Sequence, residues 1–282
     1  GDFFTPWSRI TGIWIRKNMY PHVDHQTNQP ILDVSHLTIR YGNNVALEDA
    51  SFQLHPGDLV AVVGPNGAGK STLFKALAGI LSTNQGEIKI YGSQPGYHVC
   101  IAYLPQRSHF DWNFPVSVAD VVMMGRIAKL GLFGWPRKAD WEYVHQSLET
   151  VGLANLEKQQ IGNLSGGQQQ RMLIARALAQ EAELMLMDEP LTGLDTPSQE
   201  NILVLLGELK EKGVTVMVAT HDLDQAVSYF DFILLLNQRV VNFEIASKAL
   251  TPETLSQAYG GKLRIEDGKI IPDTCCDGEQ HE

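Results

Sequence analysis

A glycine-rich segment that ends in Lys-Ser-Thr has the clearest chemistry in the chain. Residues 64–72 read Gly-Pro-Asn-Gly-Ala-Gly-Lys-Ser-Thr and match G-x-x-x-x-G-K-[ST], a loop whose backbone N–H groups bind phosphates. Lys70 is expected to reach the β- and γ-phosphates of a nucleotide, and the Ser71 hydroxyl to coordinate Mg2+. The predicted nucleotide-binding residues of this loop are Gly64, Asn66, Gly67, Gly69, Lys70, Ser71 and Thr72.

Two elements must hold this loop in place. The apolar run Leu59–Val63 predicts a buried parallel strand, and residues 71–79 predict a helix. The phosphates would therefore lie at a helix N-terminus, where unpaired N–H groups and the helix dipole favour anions. Gly67 and Gly69 lack the side chains that would keep the backbone away from the phosphates.

A pair of carboxylates follows a second apolar run. Asp188 and Glu189 end a predicted strand that begins at Leu184. Asp188 fits a magnesium ligand, directly or through water, because this hard cation prefers oxygen. Glu189 is placed to orient or deprotonate an attacking water. An Asp-Glu pair alone is usually a solvated strand end, but downstream of a phosphate loop it indicates catalysis.

A second anion site is predicted in residues 164–168, which read Leu-Ser-Gly-Gly-Gln. They open a helix with an apolar period that runs through residues 175–179. Ser165 would be the N-cap of this helix, and Gly166 and Gly167 would expose backbone donors.

In this order, the motifs resemble those of the ATP-binding cassette (ABC) ATPases. Residues 164–168, continued by Gln-Gln-Arg, match the signature sequence of that family, and the resemblance extends over about residues 31–260. It implies that Ser165, Gly166, Gly167 and Gln168 bind the γ-phosphate of an ATP held by a second copy of the chain. One chain would then form an incomplete site. The resemblance implies ATP and Mg2+ as cofactors and a homodimer as the working form.

Four further positions match the family one by one. Tyr41 corresponds to the aromatic residue that stacks on adenine, and Asp195 to the loop that communicates across the dimer. Gln106 matches the glutamine that contacts magnesium or water and senses the membrane subunit. His221 matches the histidine that contacts the γ-phosphate, and it follows a strand, where open α/β sheets place ligands. The resemblance thus implies the catalytic residues Glu189, His221 and Gln106 and the metal ligands Ser71, Gln106 and Asp188.

The order of elements predicts an α/β fold, namely a P-loop ATPase core with a mostly parallel sheet, an antiparallel β subdomain and an inserted helical subdomain. We expect an N-terminal extension at 1–30, an ATPase domain at 31–265 with its helical subdomain at about 108–180, and an acidic tail at 266–282. The predicted strands are 31–40, 45–54, 59–63, 86–91, 99–104, 184–188, 214–219 and 232–237, and the main helices are 71–79, 117–125 and 138–151.

Composition limits the classes of partner. The 282 residues include 22 Lys and Arg against 32 Asp and Glu, a formal net charge of −10 that argues against a nucleic-acid surface. The longest apolar runs are far shorter than the roughly 18 residues that span a bilayer, so membrane transport would need another polypeptide. The number and spacing of the three cysteines do not suggest a disulfide framework, as expected for a protein of the reducing cytoplasm.

The two ends of the chain leave alternatives open. Trp7, Ile10 and Trp14 are spaced for a short amphipathic helix that lies on a membrane or a partner, but an extension covering the domain's own apolar surface fits equally. The extension lacks the features of a secretion signal, so export is not expected. In the tail, Cys275, Cys276 and His281 offer metal-ligand chemistry, and a solvated tail is the favoured interpretation.

Residues 106–126 resemble the corresponding region of bacterial importers for manganese, zinc or iron. The resemblance implies an ATP-hydrolysing subunit that powers import of a divalent metal ion, manganese first, through a separate permease with a substrate-binding protein. It would act at the cytoplasmic face of the cell membrane. Trp112, Phe114 and Pro115 would contact the permease or, alternatively, pack the helical subdomain. An importer of siderophore, haem or vitamin is the alternative function, ahead of a non-transport ABC ATPase.

Overall fold

The structure is a computed structural model that describes residues 29–94, 100–106, 110–130, 134–260, 263–266 and 269–272. The predictions for residues 1–28 and for Cys275, Cys276 and His281 lie outside these residues. Within the described ranges, no helix is both long enough and apolar enough to cross a membrane.

A three-stranded antiparallel sheet forms the first subdomain. Its strands are β1 (Leu32–Tyr41), β2 (Asn44–Leu54) and β4 (Gln85–Ile90), in the order β2-β1-β4. β1 alternates buried and exposed positions at its start because one face of this sheet packs on the core. The predicted antiparallel β subdomain is confirmed, with strand ends within one residue of the predicted ones.

The second sheet is the six-stranded core, in the order β5-β6-β7-β3-β8-β9. Its first five members are parallel, and only β9 runs antiparallel to its neighbour. Every residue of β3, β6 and β7 is buried, as expected for parallel strands covered on both faces. The strands are β3 (Leu59–Val63), β5 (Ile101–Leu104), β6 (Leu184–Asp188), β7 (Thr215–Ala219), β8 (Phe232–Asn237) and β9 (Arg239–Ile245).

Side chains of this core sheet divide between two apolar layers. Along β3, Ala61 and Val63 belong to the layer shared with the helical subdomain, whereas Val60 and Val62 belong to the layer shared with the antiparallel sheet. Successive side chains of a strand point to opposite faces of the sheet, so alternate residues enter different layers. The core sheet is therefore the rigid platform on which both subdomains rest.

Helices cover the core sheet and form the inserted subdomain. The predicted helix at 117–125 is found as α2 followed by a 3-10 turn at Met124–Arg126, with Ser117 and Asp120 forming a capping box at its start. The predicted helix at 138–151 is found as α4. The helices are α1 (Lys70–Leu77), α2 (Val118–Met123), α3 (Ile127–Leu130), α4 (Lys138–Thr150), α5 (Gly166–Ala179), α6 (Thr196–Glu211), α7 (Leu223–Tyr229), α8 (Ala246–Ala249) and α9 (Pro252–Tyr259).

Two strand pairs were not predicted from the sequence. β9 folds back on β8, and a short hairpin joins β10 (Leu263–Glu266) to β11 (Lys269–Pro272). The two strands of this hairpin lie on either side of the predicted boundary between the ATPase domain and the acidic tail at residue 266. Regular secondary structure therefore extends into the predicted tail, as far as Pro272.

Candidate active site

The phosphate loop connects the end of β3 to the start of α1 in a conformation that requires glycine. At Gly64 (φ 155°), a Cβ atom would lie 2.0 Å from the Leu236 carbonyl oxygen. At Gly69 (φ 96°), a Cβ would lie 2.5 Å from the Ala46 carbonyl oxygen and 2.7 Å from a Leu47 methyl carbon. The loop is therefore wedged between strand β8 and the antiparallel sheet.

Lys70 is the buried cation of this loop. Its Nζ donates hydrogen bonds to the carbonyl oxygens of Gly64 (2.6 Å) and Pro65 (3.0 Å). Burial lowers the pKa of Lys70, and the carboxylates of Glu189 and Asp188 oppose that shift. The loop carbonyl oxygens therefore hold the ammonium group, and both carboxylates act on its charge, which is compatible with the predicted phosphate-binding role.

The two predicted carboxylates lie at the carboxyl end of β6. Asp188 is buried and accepts a hydrogen bond from the Tyr103 hydroxyl at 3.4 Å. Glu189 adopts a left-handed conformation (φ 50°), and its backbone N–H donates to the Ala219 carbonyl oxygen at 3.1 Å. This turn directs successive side chains differently, so the two carboxylates have different neighbours and can serve different roles.

Gln106 and Glu189 meet although 83 positions separate them in the sequence. The Gln106 Nε2 donates to Glu189 Oε2 at 3.0 Å, and the Thr192 hydroxyl donates to the same oxygen at 3.4 Å. Two donors hold one carboxylate oxygen and leave the other available to a water. The two residues predicted to be catalytic are therefore in contact, and Thr192 contacts the same carboxylate.

His221 borders the same site from the neighbouring strand β7. With Glu189 and Thr192 it lines a cleft of about 140 Å3. Its neighbour Asp222 is the N-cap of α7 and accepts a hydrogen bond from the Gln225 backbone N–H at 2.9 Å. The start of α7 thus fixes the backbone that carries the histidine.

The residues predicted for the second anion site lie at the start of α5. The Ser165 hydroxyl accepts from the Gln168 N–H at 3.3 Å, and Gln168 Oε1 accepts from the Ser165 N–H at 2.8 Å, which is a capping box. A Cβ at Gly167 would lie 2.6 Å from the Ser198 hydroxyl. In the described part of the chain, no hydrogen bond or ion pair joins residues 165–168 to the phosphate loop or its carboxylates. The two sets of predicted residues therefore make no polar contact with each other within one chain.

Two predicted residues lie at the edges of the site. Tyr41 ends β1 and is 50% exposed, so its ring is accessible for stacking. Asp195 is the N-cap of α6, but its side chain makes no capping hydrogen bond. Both side chains are therefore available to groups outside the described chain.

Two contributors were missed from the sequence. Tyr103 hydrogen-bonds to Asp188, and burial together with that contact raises the pKa of Tyr103 to about 12, so the hydroxyl stays protonated. It lies three positions before Gln106 on β5, the direct neighbour of β6. Thr192 lies three positions after Glu189, in the turn that leads to Asp195. The pairing of β5 with β6 would have identified Tyr103, and the short spacing from Glu189 would have identified Thr192.

The ligand set suits magnesium bound together with phosphates. Among the described residues, no group of three or more His, Cys, Asp or Glu side chains could enclose an ion. Ser71 and the buried Asp188 instead offer one hydroxyl and one carboxylate, and Mg2+ bound with nucleotides typically takes few protein ligands and completes its shell with phosphate and water oxygens.

Comparison with known proteins identifies the family. Residues 47–192 match the family model described as ABC transporter. The chain belongs to the ABC transporter family. The predicted family, the ABC fold and the ATPase activity are confirmed.

Several ABC proteins are similar over most of this chain. The manganese transport system ATP-binding protein MntB of Bacillus subtilis is 44% identical over 85% of this chain and 96% of its own length. The zinc transport system ATP-binding protein TroB of Treponema pallidum is 42% identical over 82% of this chain and 88% of its own. Among solved structures, an inward-facing putative metal-chelate type ABC transporter has a TM-score of 0.74 and 34% identity, covering 86% of this chain and 96% of that one.

Proposed function

We propose that this ABC ATPase powers the import of a divalent metal ion, with manganese as the first candidate and zinc or iron next, through a separate membrane permease. Full-length similarity to a manganese transport subunit at 44% identity carries this proposal. Similar proteins from other bacteria are named for manganese, for zinc and for chelated iron. The metal itself would be recognised by the permease and a substrate-binding protein, and the ATPase would act at the cytoplasmic face of the membrane.

In the proposed mechanism, two chains face each other and complete two sites. Lys70, Ser71 and Asp188 of one chain hold one face of Mg-ATP, and Ser165 to Gln168 of the partner subunit hold the other face. The separation of these half-sites within one chain supports the arrangement, because each half offers anion-binding groups that the other does not touch. Mg2+ would supply positive charge to the phosphates when bound.

Glu189 is the proposed general base. The hydrogen bonds from Gln106 and Thr192 to its Oε2 fix the orientation of the carboxylate, leaving Oε1 to accept a proton from water. His221 would contact the γ-phosphate across the same cleft, and Lys70 would stabilise the charge that develops on the phosphate oxygens. Catalysis then consists mainly of positioning and charge stabilisation.

The helical subdomain offers the proposed permease contact. Phe114 is 56% exposed. Trp112, by contrast, stacks on Phe110 with ring centroids 5.3 Å apart and packs against the core, so the structure favours a packing role for this side chain. Gln106 begins the same segment and contacts Glu189, so a displacement of the segment by a permease would reach the catalytic base directly.

A reconstituted complex of the ATPase with its co-purified permease and binding protein tests the proposal. Mn2+, Zn2+ and Fe2+ would be added singly, and release of inorganic phosphate measured. We expect Mn2+ to stimulate hydrolysis most. Stimulation by a metal chelate but by no free ion would instead support the siderophore or haem alternative, which the similarity to the metal-chelate type transporter favours. Absence of stimulation by all of them would contradict both.

A further inference from the structure

A buried cluster of charges lies at the C-terminal end of the signature helix α5, opposite the end that Ser165 caps. We call it the hinge cluster, and it consists of Arg126, Lys129, Asp140 and Glu181. The side chains of Arg126, Asp140 and Glu181 are only 7%, 10% and 4% exposed. Charges are buried at this level only when they are paired, and nothing in the proposed mechanism uses them.

Arg126 connects three elements. Its Nη1 donates to the Ala179 carbonyl oxygen at 2.9 Å and to Glu181 Oε2 at 2.8 Å, both at the end of α5. Its Nε donates to Asp140 Oδ1 at 3.2 Å on α4, and the guanidinium lies 4.1 Å from the centre of the Tyr143 ring. One side chain thus ties the turn after α2 and the helix α4 to the end of the signature helix.

Glu181 occupies a backbone position at which glycine or asparagine is usual. It follows α5 in a left-handed conformation (φ 61°), and its N–H donates to the Leu178 carbonyl oxygen as a helix C-terminus requires. A glutamate in this backbone conformation is strained, so other contacts must offset the cost. Glu181 makes such contacts, because its Oε2 pairs with both Arg126 and Lys129. Its Oε1 is buried and has no hydrogen-bond partner, so the carboxylate depends on these two cations.

The cluster lies where the signature helix joins the catalytic strand. Glu181 is between α5 and β6, and β6 ends at Asp188 next to the proposed base. The 14 residues of α5 span about 21 Å, so a tilt of roughly 5° at the cluster would move Ser165 by about 2 Å. The turn after α2 also packs closely on α5, because a Cβ at Gly125 would lie 2.3 Å from the Arg176 carbonyl oxygen of α5.

We propose that Arg126 and Glu181 form a latch that ties the turn after α2 and helix α4 to the end of the signature helix, and so positions Ser165 for closure on the ATP of a second copy of the chain. The latch rests on the proposed ATP-sandwich dimer. Neither residue touches the nucleotide in this arrangement, so both are positioning residues. Their loss should impair closure of the dimer and leave binding of ATP to the phosphate loop unchanged.

The test separates those two steps. In a Glu189→Gln background, which should accumulate the ATP-bound dimer, the affinity of each chain for a fluorescent ATP analogue is measured at a concentration that keeps the chain monomeric. The dimer dissociation constant is then measured by light scattering with saturating Mg-ATP. Glu181→Gln removes the charge and keeps the shape, and Glu181→Gly removes the side chain while favouring the left-handed backbone. Glu48→Gln, which breaks the exposed ion pair with Arg239, is the matched control.

We expect both Glu181 variants to weaken dimerisation by about tenfold or more and to change ATP affinity by less than about twofold, with Glu48→Gln unchanged in both. Dimerisation of both variants like the control would overturn the latch, and so would an equal loss of ATP affinity and dimerisation. If only Glu181→Gly changed dimerisation, and improved it, the backbone conformation at this position would control dimerisation, and the latch would be overturned.

If a Glu181 variant fails to fold, Arg126→Lys, which keeps the charge but loses donors, must shift dimerisation in the same direction. Failure of the Glu189→Gln parent to dimerise would refute the sandwich itself, which distinguishes that result from failure of the latch alone.

Discussion

Replacement of Glu189 by Gln tests the proposed catalytic base with little change in shape. The Gln side-chain oxygen can still accept the hydrogen bonds that Gln106 and Thr192 donate at 3.0 and 3.4 Å, so the local packing should persist. The amide cannot take a proton from water. General-base catalysis typically contributes about 10²–10⁴-fold, or about 3–5 kcal/mol of transition-state free energy, and we expect a loss of that size in kcat.

The affinity for Mg-ATP should be kept or slightly increased by this change. Glu189 is one of two carboxylates whose charge acts on Lys70, so its neutralisation removes a negative charge near the phosphates. Phosphate release at saturating Mg-ATP gives the turnover, and a fluorescent nucleotide gives the affinity. Glu200→Gln, on the exposed face of α6, is the control and should behave as the unaltered chain. Turnover of Glu189→Gln within about threefold of the control would refute the assignment.

Three further predictions concern the loop, the hinge cluster and the permease contact. Gly69→Ala should abolish the stabilisation by Mg-ATP in a thermal unfolding assay, because its Cβ would lie 2.5 Å from the Ala46 carbonyl oxygen; an unchanged ATP-dependent shift in Tm would contradict the wedged loop. Burial alone would raise the pKa of Asp140, but hydrogen bonds from the Arg137 N–H and from Arg126 hold it below its ordinary 3.8. Asp140→Asn should therefore lower the free energy of unfolding most above about pH 4, and the difference should vanish as the pH falls through the lowered pKa; a urea series from acid to neutral pH that shows a constant difference would disprove this. Phe114→Ala should reduce permease-coupled hydrolysis more than basal hydrolysis, and equal losses in a reconstituted complex would argue against a contact there.

The sequence predicted the parts of the molecule that depend on local pattern. The phosphate loop follows from residue types at fixed spacing, and the strands at 59–63 and 184–188 follow from continuous apolar runs whose residues are all buried in the structure. Glu189 and Gln106 were predicted separately, through the resemblance and the order of motifs. Their contact is a property of the parallel pairing of β5 and β6, which the structure supplies.

Apart from Thr192, which lies three positions after Glu189, the parts that were missed depend on distant pairings. Tyr103 contributes to the site only because β5 lies beside β6, and nothing in its local sequence marks it. Arg126 and Glu181 are 55 positions apart and meet only after the turn that follows α2 packs on the end of α5. Strand β9 was missed because its mixed apolar and polar residues are half exposed, as expected for an edge strand. Such features are fixed by tertiary packing and have no periodic signal of their own.

Turnover per chain as a function of protein concentration tests the central claim most directly. Hydrolysis of Mg-ATP would be followed over a dilution series, with the molar mass at each concentration determined by light scattering. Because no hydrogen bond or ion pair joins the phosphate loop to the signature residues of the same chain, we predict that turnover per chain falls in parallel with the fraction of dimer. A turnover per chain that stays constant at dilutions where the protein is entirely monomeric would contradict it.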